Sequence, residues 1–416
     1  MMTANITESN GRLCRVCGAK ILPFMSFGKM PIANGFLPPD RTASEYMFEL
    51  APAFCRGCST VQLMEQPARE KMFHENYAFY SSTSRHMQTH FKAFSEMAVS
   101  KACTGRKDPF VVELGSNDGI MLQHFQSAGI RHLGIEPSQN VADVARAKGI
   151  NTLSEFFTVE LADRLVAEYG HADAMLSANV ICHIPDIHSV AAGVARMLKP
   201  DGVFMFEDPY LGDMIAKTSY DQIYDEHVFI FSALSVSAAF GQHGLELVDV
   251  APQVTHGGSM RYVLAPKGSR PASPAVQVLY EKERAQGLNR EETFVQFRRN
   301  CESSREALRD LLASLKRDGK RVAGYGATSK STTVLNYCGI TKELIPYICD
   351  TTPIKQGKVS PGMHIPIKPY DAFTAEYPDY AVLFAWNHKN EILAKEQQYA
   401  AQGGKWVVFV PKVAVE

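Results

Sequence analysis

The segment Ser219–Ser232, SYDQIYDEHVFIFS, combines residue types that can do acid–base chemistry. It places tyrosines, carboxylates and a histidine side by side, and the apolar run Val228–Phe231 follows at once. Ionisable groups next to a buried strand must be paired, solvated or used in chemistry. The segment is therefore a candidate catalytic site, and a hydrogen-bonded turn before a strand is the structural alternative.

A glycine turn at Gly115–Gly119 predicts a nucleotide-type site. The apolar strand Phe110–Leu114 runs into GSNDG and a helical pattern, and a second strand, HLGIEP, ends in a carboxylate at the spacing suited to ribose hydroxyls. The spacing ExGxxxG differs from the dinucleotide pattern GxGxxG and resembles motif I of S-adenosylmethionine-dependent methyltransferases. Helix caps and solvated strand ends are the alternative for these residues. The candidate cofactor-binding residues are Glu113, Gly115, Asn117, Asp118, Gly119, Glu136, Pro137 and Asn179.

Two CxxC pairs, Cys14–Cys17 and Cys55–Cys58, predict a structural zinc site. Each CxxC turn points both sulfurs at one ion, and together they supply four thiolates. Four protein ligands leave no open position, so the metal holds the region together without catalysing a reaction. Ordinary thiols and a redox role for one CxxC are the alternatives.

A second glycine turn follows a long polar helical region near the C-terminal end. The sequence RVAGYGATSKS gives a strand, glycines and a helix start, and the next strand closes with DTTPIKQ. A cation at the turn favours phosphate binding over a dinucleotide cofactor, which is the competing interpretation. The candidate substrate-binding residues are Tyr325, Gly326, Thr328, Ser329, Lys330, Asp350 and Lys355.

Length and composition limit the possible classes. A chain of 416 residues exceeds one ordinary core, so several domains are expected. With 43 basic against 44 acidic residues and no block of like charge, a nucleic-acid or membrane partner is not expected. The sequence shows neither a signal-peptide pattern nor an apolar run long enough to span a membrane, so we expect a soluble cytoplasmic protein, a monomer or weak oligomer.

The patterns together predict an α/β protein with Rossmann-like domains. The expected divisions are a zinc-binding module at 1–75, a class I methyltransferase domain at 76–266, a linker and helical region at 267–318 and a C-terminal Rossmann-like α/β domain at 319–416. The last should contain a small parallel sheet.

Nearly the whole chain resembles one family, the S-adenosylmethionine-dependent nucleotide-sugar C-3'-methyltransferases that make branched deoxysugars. The matching stretches are the CxxC pairs, MFHENY, GSNDGIML, CHIP, FEDPYLGDMIAKTSYDQIYDEH, HGGSMRY, GYGATSKS, DTTPIKQ and LFAWNHKNEI. The resemblance implies a zinc-binding N-terminal part, a middle domain for S-adenosylmethionine and a C-terminal sheet that helps hold a dTDP-linked 4-keto-6-deoxysugar.

The resemblance also implies roles for individual residues. The histidine of YDEH, His227, is the base, and Tyr224 and Glu226 share its site. Tyr77 of ENYAFY and His183 of CHIP complete the group. NYAFY departs from the YPY common among relatives, which leaves open whether Tyr77 or Tyr80 faces the sugar.

The expected reaction explains this combination of side chains. Methyl transfer to carbon needs a carbanion equivalent, and the C-3' hydrogen is acidic because it is alpha to the 4-keto group. A histidine suits the base, a carboxylate can orient it, and phenols or a second imidazole can stabilise the enolate. An O- or N-methyltransferase on a nucleotide sugar, a zinc-bound binding protein and a dehydrogenase are the other hypotheses.

Overall fold

The structure is a computed structural model that describes residues 12–72, 81–83 and 85–416. Its elements confirm the α/β class. The strands are β1 (Arg12–Leu13), β2 (Lys20–Pro23), β3 (Lys29–Pro31), β4 (Met47–Glu49), β5 (Pro52–Phe54), β6 (Val61–Leu63), β7 (Phe110–Leu114), β8 (Arg131–Ile135), β9 (Thr152–Leu153), β10 (Ala172–Ala178), β11 (Leu198–Pro209), β12 (Phe229–Ile230), β13 (Leu245–Gln253), β14 (Ser259–Pro266), β15 (Val322–Tyr325), β16 (Ile348–Cys349), β17 (Ile367–Lys368), β18 (Tyr380–Leu383), β19 (Lys405–Val408) and β20 (Ala414–Val415).

The α-helices connect these strands and cover the sheets. They are α1 (Arg69–Met72), α2 (Arg85–Ala102), α3 (Leu122–Ser127), α4 (Gln139–Ala147), α5 (Val159–Tyr169), α6 (Ile187–Met197), α7 (Leu211–Lys217), α8 (Ala233–Gly241), α9 (Pro274–Ala285), α10 (Glu291–Arg317), α11 (Ser329–Cys338), α12 (Asp371–Ala375), α13 (Lys389–Lys395) and α14 (Gln397–Ala401). Within the described ranges, no helix is both long and apolar enough to cross a membrane.

The central sheet has the strand order β13-β14-β11-β10-β7-β8-β9. Strands β11, β10, β7, β8 and β9 run parallel, and β14 pairs antiparallel with β11. All five residues of β7 are buried, as expected for a strand covered on both faces. The chain leaves β7 towards β8 on one side and later fills β10 on the other, so the order reverses between β7 and β10. Ligands of such sheets bind at this switch point.

The N-terminal module contributes short antiparallel strands. Its sheet has the order β1-β2-β5-β6-β12, so its last strand comes from the candidate catalytic segment. Phe229 pairs with Gln62, and Ile230 pairs with Val61. The apolar run after YDEH is therefore buried against the N-terminal module, and the two regions share a sheet.

The C-terminal sheet has the order β17-β16-β15-β18-β19-β20. Strands β17, β16, β15, β18 and β19 are parallel, as the sequence predicts. The final strand differs, because β20 pairs antiparallel with β19. Thr328 caps α11 by accepting a hydrogen bond from the backbone N–H of Ser331 at 3.1 Å, which fixes the helix start directly after the glycine turn.

The predicted linker and helical region becomes α9 and α10. Although α10 is largely polar, one of its faces is apolar and buried, including Leu308, Leu312 and Leu315. Near its start, the ring of Phe294 stacks on Phe54 of the N-terminal module at 4.4 Å between centroids. Helix α10 therefore packs against the first module as well as the last domain, and is more than a spacer.

Candidate active site

His227 is a neutral imidazole with one unprotonated ring nitrogen. Its Nδ1 lies 2.7 Å from the carbonyl oxygen of Gln222, and its Nε2 lies 2.8 Å from the hydroxyl of Tyr224. A carbonyl can only accept, so Nδ1 carries the proton and Nε2 accepts from the tyrosine. Burial, followed by the charges of His183 and Lys330, lowers the pKa of His227 well below its usual value. At neutral pH the ring therefore offers a lone pair on Nε2.

His183 stacks on this base. It ends a short 3-10 turn after β10, and its ring centroid lies 5.3 Å from that of His227 with an interplanar angle of 21°. Burial lowers the pKa of His183 to about 4. Donor atoms of Cys182, His183 and His227 lie within 4.8 Å of one another, but in-plane lone pairs of stacked rings do not converge on one ion. The pair suits acid–base chemistry better than metal binding.

The carboxylates of the segment bind neighbouring elements and not the base. Glu226 Oε1 accepts from Asn34 Nδ2 at 2.6 Å, and Asp225 Oδ1 accepts from the backbone N–H of Ala33 at 2.9 Å. Burial raises the pKa of both carboxyl groups. The expected reaction allows a carboxylate to orient the base, but here the carbonyl of Gln222 accepts the Nδ1–H of His227.

Asp221 anchors the other end of the segment. Its Oδ2 accepts from Trp386 Nε1 at 2.6 Å, and Oδ1 has no hydrogen-bond partner among the described residues. Burial raises the pKa of Asp221 to about 6, opposed by the charge of Lys330 and the Trp386 bond. Tyr77 and Tyr80 lie outside the described residues, so their roles stay predictions.

The predicted cofactor residues meet at the switch point of the central sheet. Gly115 follows β7, Glu136 follows β8 and Asn179 follows β10. Gly115 has φ +67°, and a Cβ there would come within 2.3 Å of a methyl carbon of Val180. The turn therefore needs glycine for its conformation and for the close approach of the next loop.

Buried polar atoms around this turn fit a polar ligand. Among the described residues, no partner is found for Glu113 Oε2, Asp118 Oδ1 or Asn179 Oδ1. Glu136 accepts the backbone N–H groups of Asn117 at 3.0 Å and Ser138 at 2.8 Å. The carboxylate thus shapes the turn, and each oxygen keeps a second lone pair for a ribose hydroxyl.

Neighbouring carboxylates at this turn affect the pKa of Glu113. Burial raises the pKa of Glu113 well above its usual value, and the charges of Glu136 and Asp118 add to this effect. Gly119 has φ +80°, and Pro137 follows Glu136 in the chain. The geometry brings the predicted cofactor residues to one edge, and their direct contacts with a ligand stay predictions.

The second glycine turn gathers most of the predicted substrate residues. Gly326 has φ +89°, and Asp350 binds the turn by accepting the backbone N–H groups of Ala327 and Thr352, each at 2.7 Å. Lys355 Nζ donates to the carbonyl of Ala327 at 2.8 Å. Asp350 therefore maintains the shape of the turn, which sequence spacing alone did not reveal.

The start of α11 carries the polar side chains of this site. Ser329 Oγ donates to Asn34 Oδ1 at 2.9 Å, and Lys330 is buried. Burial lowers the pKa of Lys330, opposed by the charges of Asp221 and Glu226. Lys330 thus belongs electrostatically to the candidate catalytic segment as well as to the turn.

Tyr325 differs from the other predicted substrate residues. Its hydroxyl donates to Glu396 Oε1 at 2.7 Å, and its ring contacts Phe373 and Trp406. The tyrosine belongs to a core cluster with these two rings, so its hydroxyl is committed to Glu396 and does not join the polar side chains at the start of α11.

The four predicted metal ligands form one cluster. Sγ of Cys14 lies 3.5 Å from Sγ of Cys58, Sγ of Cys17 lies 3.4 Å from Sγ of Cys55, and all four sulfurs lie within 4.8 Å of one another. Tetrahedral Zn–S bonds of about 2.3 Å place sulfurs about 3.8 Å apart. The cluster therefore fits a closed structural zinc site.

Comparison with known proteins gives the family. Family models match residues 14–73 as a zinc-binding domain, 84–250 as a methyltransferase domain and 254–411 as a C-methyltransferase C-terminal domain. The C-methyltransferase NovU of Streptomyces niveus is 36% identical over 405 residues, which are 97% of this chain and 96% of that protein. The chain belongs to this C-methyltransferase family. It is an S-adenosylmethionine-dependent enzyme with a zinc-binding N-terminal domain, as the sequence predicts.

Other proteins match only part of this methyltransferase. The ubiquinone biosynthesis O-methyltransferase of Bartonella tribocorum is 27% identical over 94 residues, 22% of this chain and 38% of that protein. The magnesium protoporphyrin IX methyltransferase ChlM of Synechocystis PCC 6803, solved with SAH, has 12% identity and a TM-score of 0.35, covering 43% of this chain and 83% of its own. Matches of this extent do not bear on the substrate.

Several residues around the methyltransferase site could not be predicted from local sequence motifs. Asn34, Gln66 and Trp386 reach the catalytic segment from the first and last parts of the chain; Gln66 Nε2 donates to the carbonyls of His183 at 3.2 Å and Asp225 at 3.4 Å. None of them has a local signature, because the contacts join positions distant in sequence. The family stretch LFAWNHKNEI is the one signal that includes Trp386.

Proposed function

We propose that the enzyme transfers a methyl group from S-adenosylmethionine to C-3' of a dTDP-linked 4-keto-6-deoxysugar. One observation above all supports the proposal: a buried, neutral His227 with its Nε2 lone pair beside the hydroxyl of Tyr224. Methylation at carbon needs such a base, because a C–H bond carries no lone pair. A hydroxyl or amine already carries one and needs less help.

The base works by taking one proton. Nε2 of His227 accepts the C-3' proton, and the C–H electron pair moves into a C-3'–C-4' double bond while the keto oxygen becomes an enolate oxygen. The Nδ1–H bond to the Gln222 carbonyl keeps the ring in place throughout. S-adenosylmethionine, when bound, supplies the methyl group as an electrophile to C-3'.

Neighbouring groups suit the enolate oxygen. The single lone pair of Nε2 can take the C-3' proton only after the hydroxyl of Tyr224 has turned away from it, and the released hydroxyl can then donate to the oxygen. His183, neutral at pH 7 because burial lowers its pKa to about 4, is a second candidate donor through a ring N–H. Donors fixed before the reaction stabilise the charge at little reorganisation cost.

The turn before α11 suits the diphosphate of the nucleotide. A helix N-terminus and cations favour a phosphate group, and Thr328, Ser329 and Lys330 lie at this start with Lys355 beside the turn. The same helix contacts the catalytic segment, since Thr333 Oγ1 donates to the carbonyl of Ile223 at 2.9 Å. A sugar attached to a nucleotide here would lie near the base.

The test follows hydrogen at C-3'. The 4-keto sugar nucleotide is incubated with enzyme and S-adenosylhomocysteine in deuterated buffer, and C-3' is observed by NMR. His227→Asn keeps some hydrogen bonding but cannot act as a base. It should lose methylation by about 10²–10⁴-fold, and any exchange of C-3' hydrogen seen with the wild type should disappear.

The control is His171→Asn, at an exposed histidine far from the described site. It should leave both rates unchanged. The mechanism is wrong if His227→Asn folds, binds both ligands and methylates at the wild-type rate. The proposed function is wrong if the new methyl group is on oxygen or nitrogen.

A further inference from the structure

The turn at Ala33 and Asn34 links three parts of the chain. Towards the catalytic segment, Ala33 N–H donates to Asp225 and Asn34 Nδ2 donates to Glu226 at 2.6 Å. Towards α11, the Ala33 carbonyl accepts from Thr332 Oγ1 at 2.9 Å, and Asn34 Oδ1 accepts from Ser329 Oγ at 2.9 Å. This turn of the zinc-binding module therefore lies between the other two domains and is hydrogen-bonded to both.

The chemistry of Asn34 fixes its orientation. Its amide nitrogen can only donate and its amide oxygen can only accept. An ionised Glu226 can only accept, and the hydroxyl of Ser329 supplies the proton on the other side. Both ends of the amide are thus used, and no charged side chain or flipped amide satisfies both partners equally well.

We propose that Asn34 is a positioning residue that sets the place and ionisation of Glu226 and ties the base-bearing segment to the start of α11. The proposal rests on the proposed function for the role of that segment. It gives the N-terminal module a part in catalysis in addition to its structural zinc site.

The charges around Glu226 determine the direction of the effect. The charges of Lys330 and Lys355 of the C-terminal domain favour the ionised form of Glu226. Burial raises the pKa of the neighbouring Asp225 carboxyl and of the Cys182 thiol, and the charge of Glu226 in turn adds to this effect. Burial raises the pKa of Glu226, and the Asn34 bond is the largest effect opposing it. Losing that bond should raise the pKa of Glu226 further, so its ionised form should appear only at higher pH.

A spectroscopic titration tests this without any substrate. The carbonyl stretch of a protonated carboxyl group is followed by difference infrared spectroscopy against pH, and Glu226→Gln identifies the band. In Asn34→Ala the band should persist to higher pH than in the wild type. Asn151→Ala, at an exposed asparagine near the opposite edge of the central sheet, is the control and should titrate like the wild type. Identical titration of Asn34→Ala and the wild type would overturn the proposal.

Kinetics give a second, separate result. Asn34→Ala should lower kcat by about 10- to 100-fold, the effect of losing one hydrogen bond to a charged group, and shift the acid limb of the rate profile upwards. KM for S-adenosylmethionine should not change, because the cofactor turn is elsewhere. Unchanged kcat and pH profile would refute the positioning role.

The isosteric Asn34→Asp covers the case in which the alanine variant does not fold. It still accepts from Ser329 but places a carboxylate against Glu226, so it should show the same shifts more strongly; wild-type behaviour would again refute the role. If the wild type itself does not methylate C-3', the proposed function fails, whereas the infrared titration still decides the role of Asn34.

Discussion

At the scale of the residue, the surroundings of His227 determine its behaviour as a base. His227 is removed from water, its Nδ1 is committed to a carbonyl and a second imidazole lies against its face. Burial is the largest effect and disfavours the imidazolium form, and the second imidazole adds to it, whereas the hydrogen bond to Gln222 opposes both. The ring is therefore ready to take a proton at any pH near neutrality and gives it up easily afterwards, which suits a catalyst that must reset once in each turnover.

The hydroxyl of Tyr224 should matter less than the base itself. Tyr224→Phe removes the hydrogen bond to His227 Nε2 and one candidate enolate donor. We expect kcat to fall by about 10- to 10²-fold, below the loss in His227→Asn, because other donors or water partly replace it. His183→Asn should behave similarly. Steady-state rates of the three variants check this order, and a loss in Tyr224→Phe as large as in His227→Asn would contradict it.

A buried carboxyl group near the base should make stability depend on pH. Burial raises the pKa of Asp208 to about 8, and its Oδ2 accepts from the Cys182 backbone N–H. The unfolded chain ionises this group near its ordinary pKa, whereas the folded chain keeps its proton up to about pH 8. The group therefore reduces stability as pH rises through that window.

Asp208→Asn should remove this dependence. The amide keeps an oxygen for the Cys182 N–H and carries no charge, so the variant should gain in Tm relative to wild type between pH 6 and pH 9, by several degrees. Asp310→Asn, at an exposed position, is the control. Thermal melts across the pH range decide the matter, and parallel curves for Asp208→Asn and wild type would show that Asp208 is ionised throughout.

At the scale of the element, the turn after β7 shows why sequence motifs locate a site so well. ExGxxxG is local, and its glycine answers a local need: φ +67° and the approach of Val180. CxxC is local in the same sense. Such patterns were sufficient to predict that the residues of the first glycine turn lie at one edge of a sheet, that the four cysteines cluster and that a helix starts after the second glycine turn.

Contacts between distant elements explain what the sequence left out. Asn34 meets Glu226 and Trp386 meets Asp221 across long stretches of chain, so neither pairing has a spacing to recognise. The same holds for Asp350, which has the position of a ribose-binding residue yet accepts from the backbone of the glycine turn at Ala327 and from Thr352. Spacing predicts where a side chain is, and the fold determines which neighbour uses it.

Two glycines with the same backbone angle give a matched test of the cofactor turn. Gly115 and Gly129 both have φ +67°, but only a Cβ at Gly115 would clash, with Val180, whereas Gly129 has nothing within 4 Å. Each alanine substitution carries a conformational cost of about 1–2 kcal/mol. Only Gly115→Ala should also lose S-adenosylmethionine affinity, by about tenfold or more, since the turn must move.

Calorimetric titration with S-adenosylmethionine measures the difference between the two variants. Gly129→Ala should bind like the wild type despite a lower Tm. Equal affinities in both variants would mean that Gly115 serves the fold alone and not the cofactor.

At the scale of the whole molecule, the metal site and the base are connected through the N-terminal sheet. The CxxC turns hold the N-terminal sheet, and that sheet ends in β12, directly after His227. Closed four-thiolate sites contribute folding free energy outright. Disturbance of the metal should therefore reach the catalytic segment through paired strands.

Metal analysis should find about one zinc per chain, as one four-thiolate site requires. Cys14→Ser and Cys55→Ser should each lose the zinc, unfold at a much lower Tm and lose the methyltransferase activity. Cys103→Ser, at a buried thiol outside the cluster, should keep the metal. A metal-free protein with wild-type Tm would show that the cluster is four ordinary thiols.

The pairing of β12 with β6 also has a consequence for synthesis. On the ribosome, the N-terminal module emerges with one edge of β6 unpaired, because the strand that covers it is translated much later, after most of the central domain. An open edge is a template for pairing with other chains. The nascent protein must therefore be kept from its neighbours until residue 230 appears, and chains truncated before that point should aggregate even with a complete metal site.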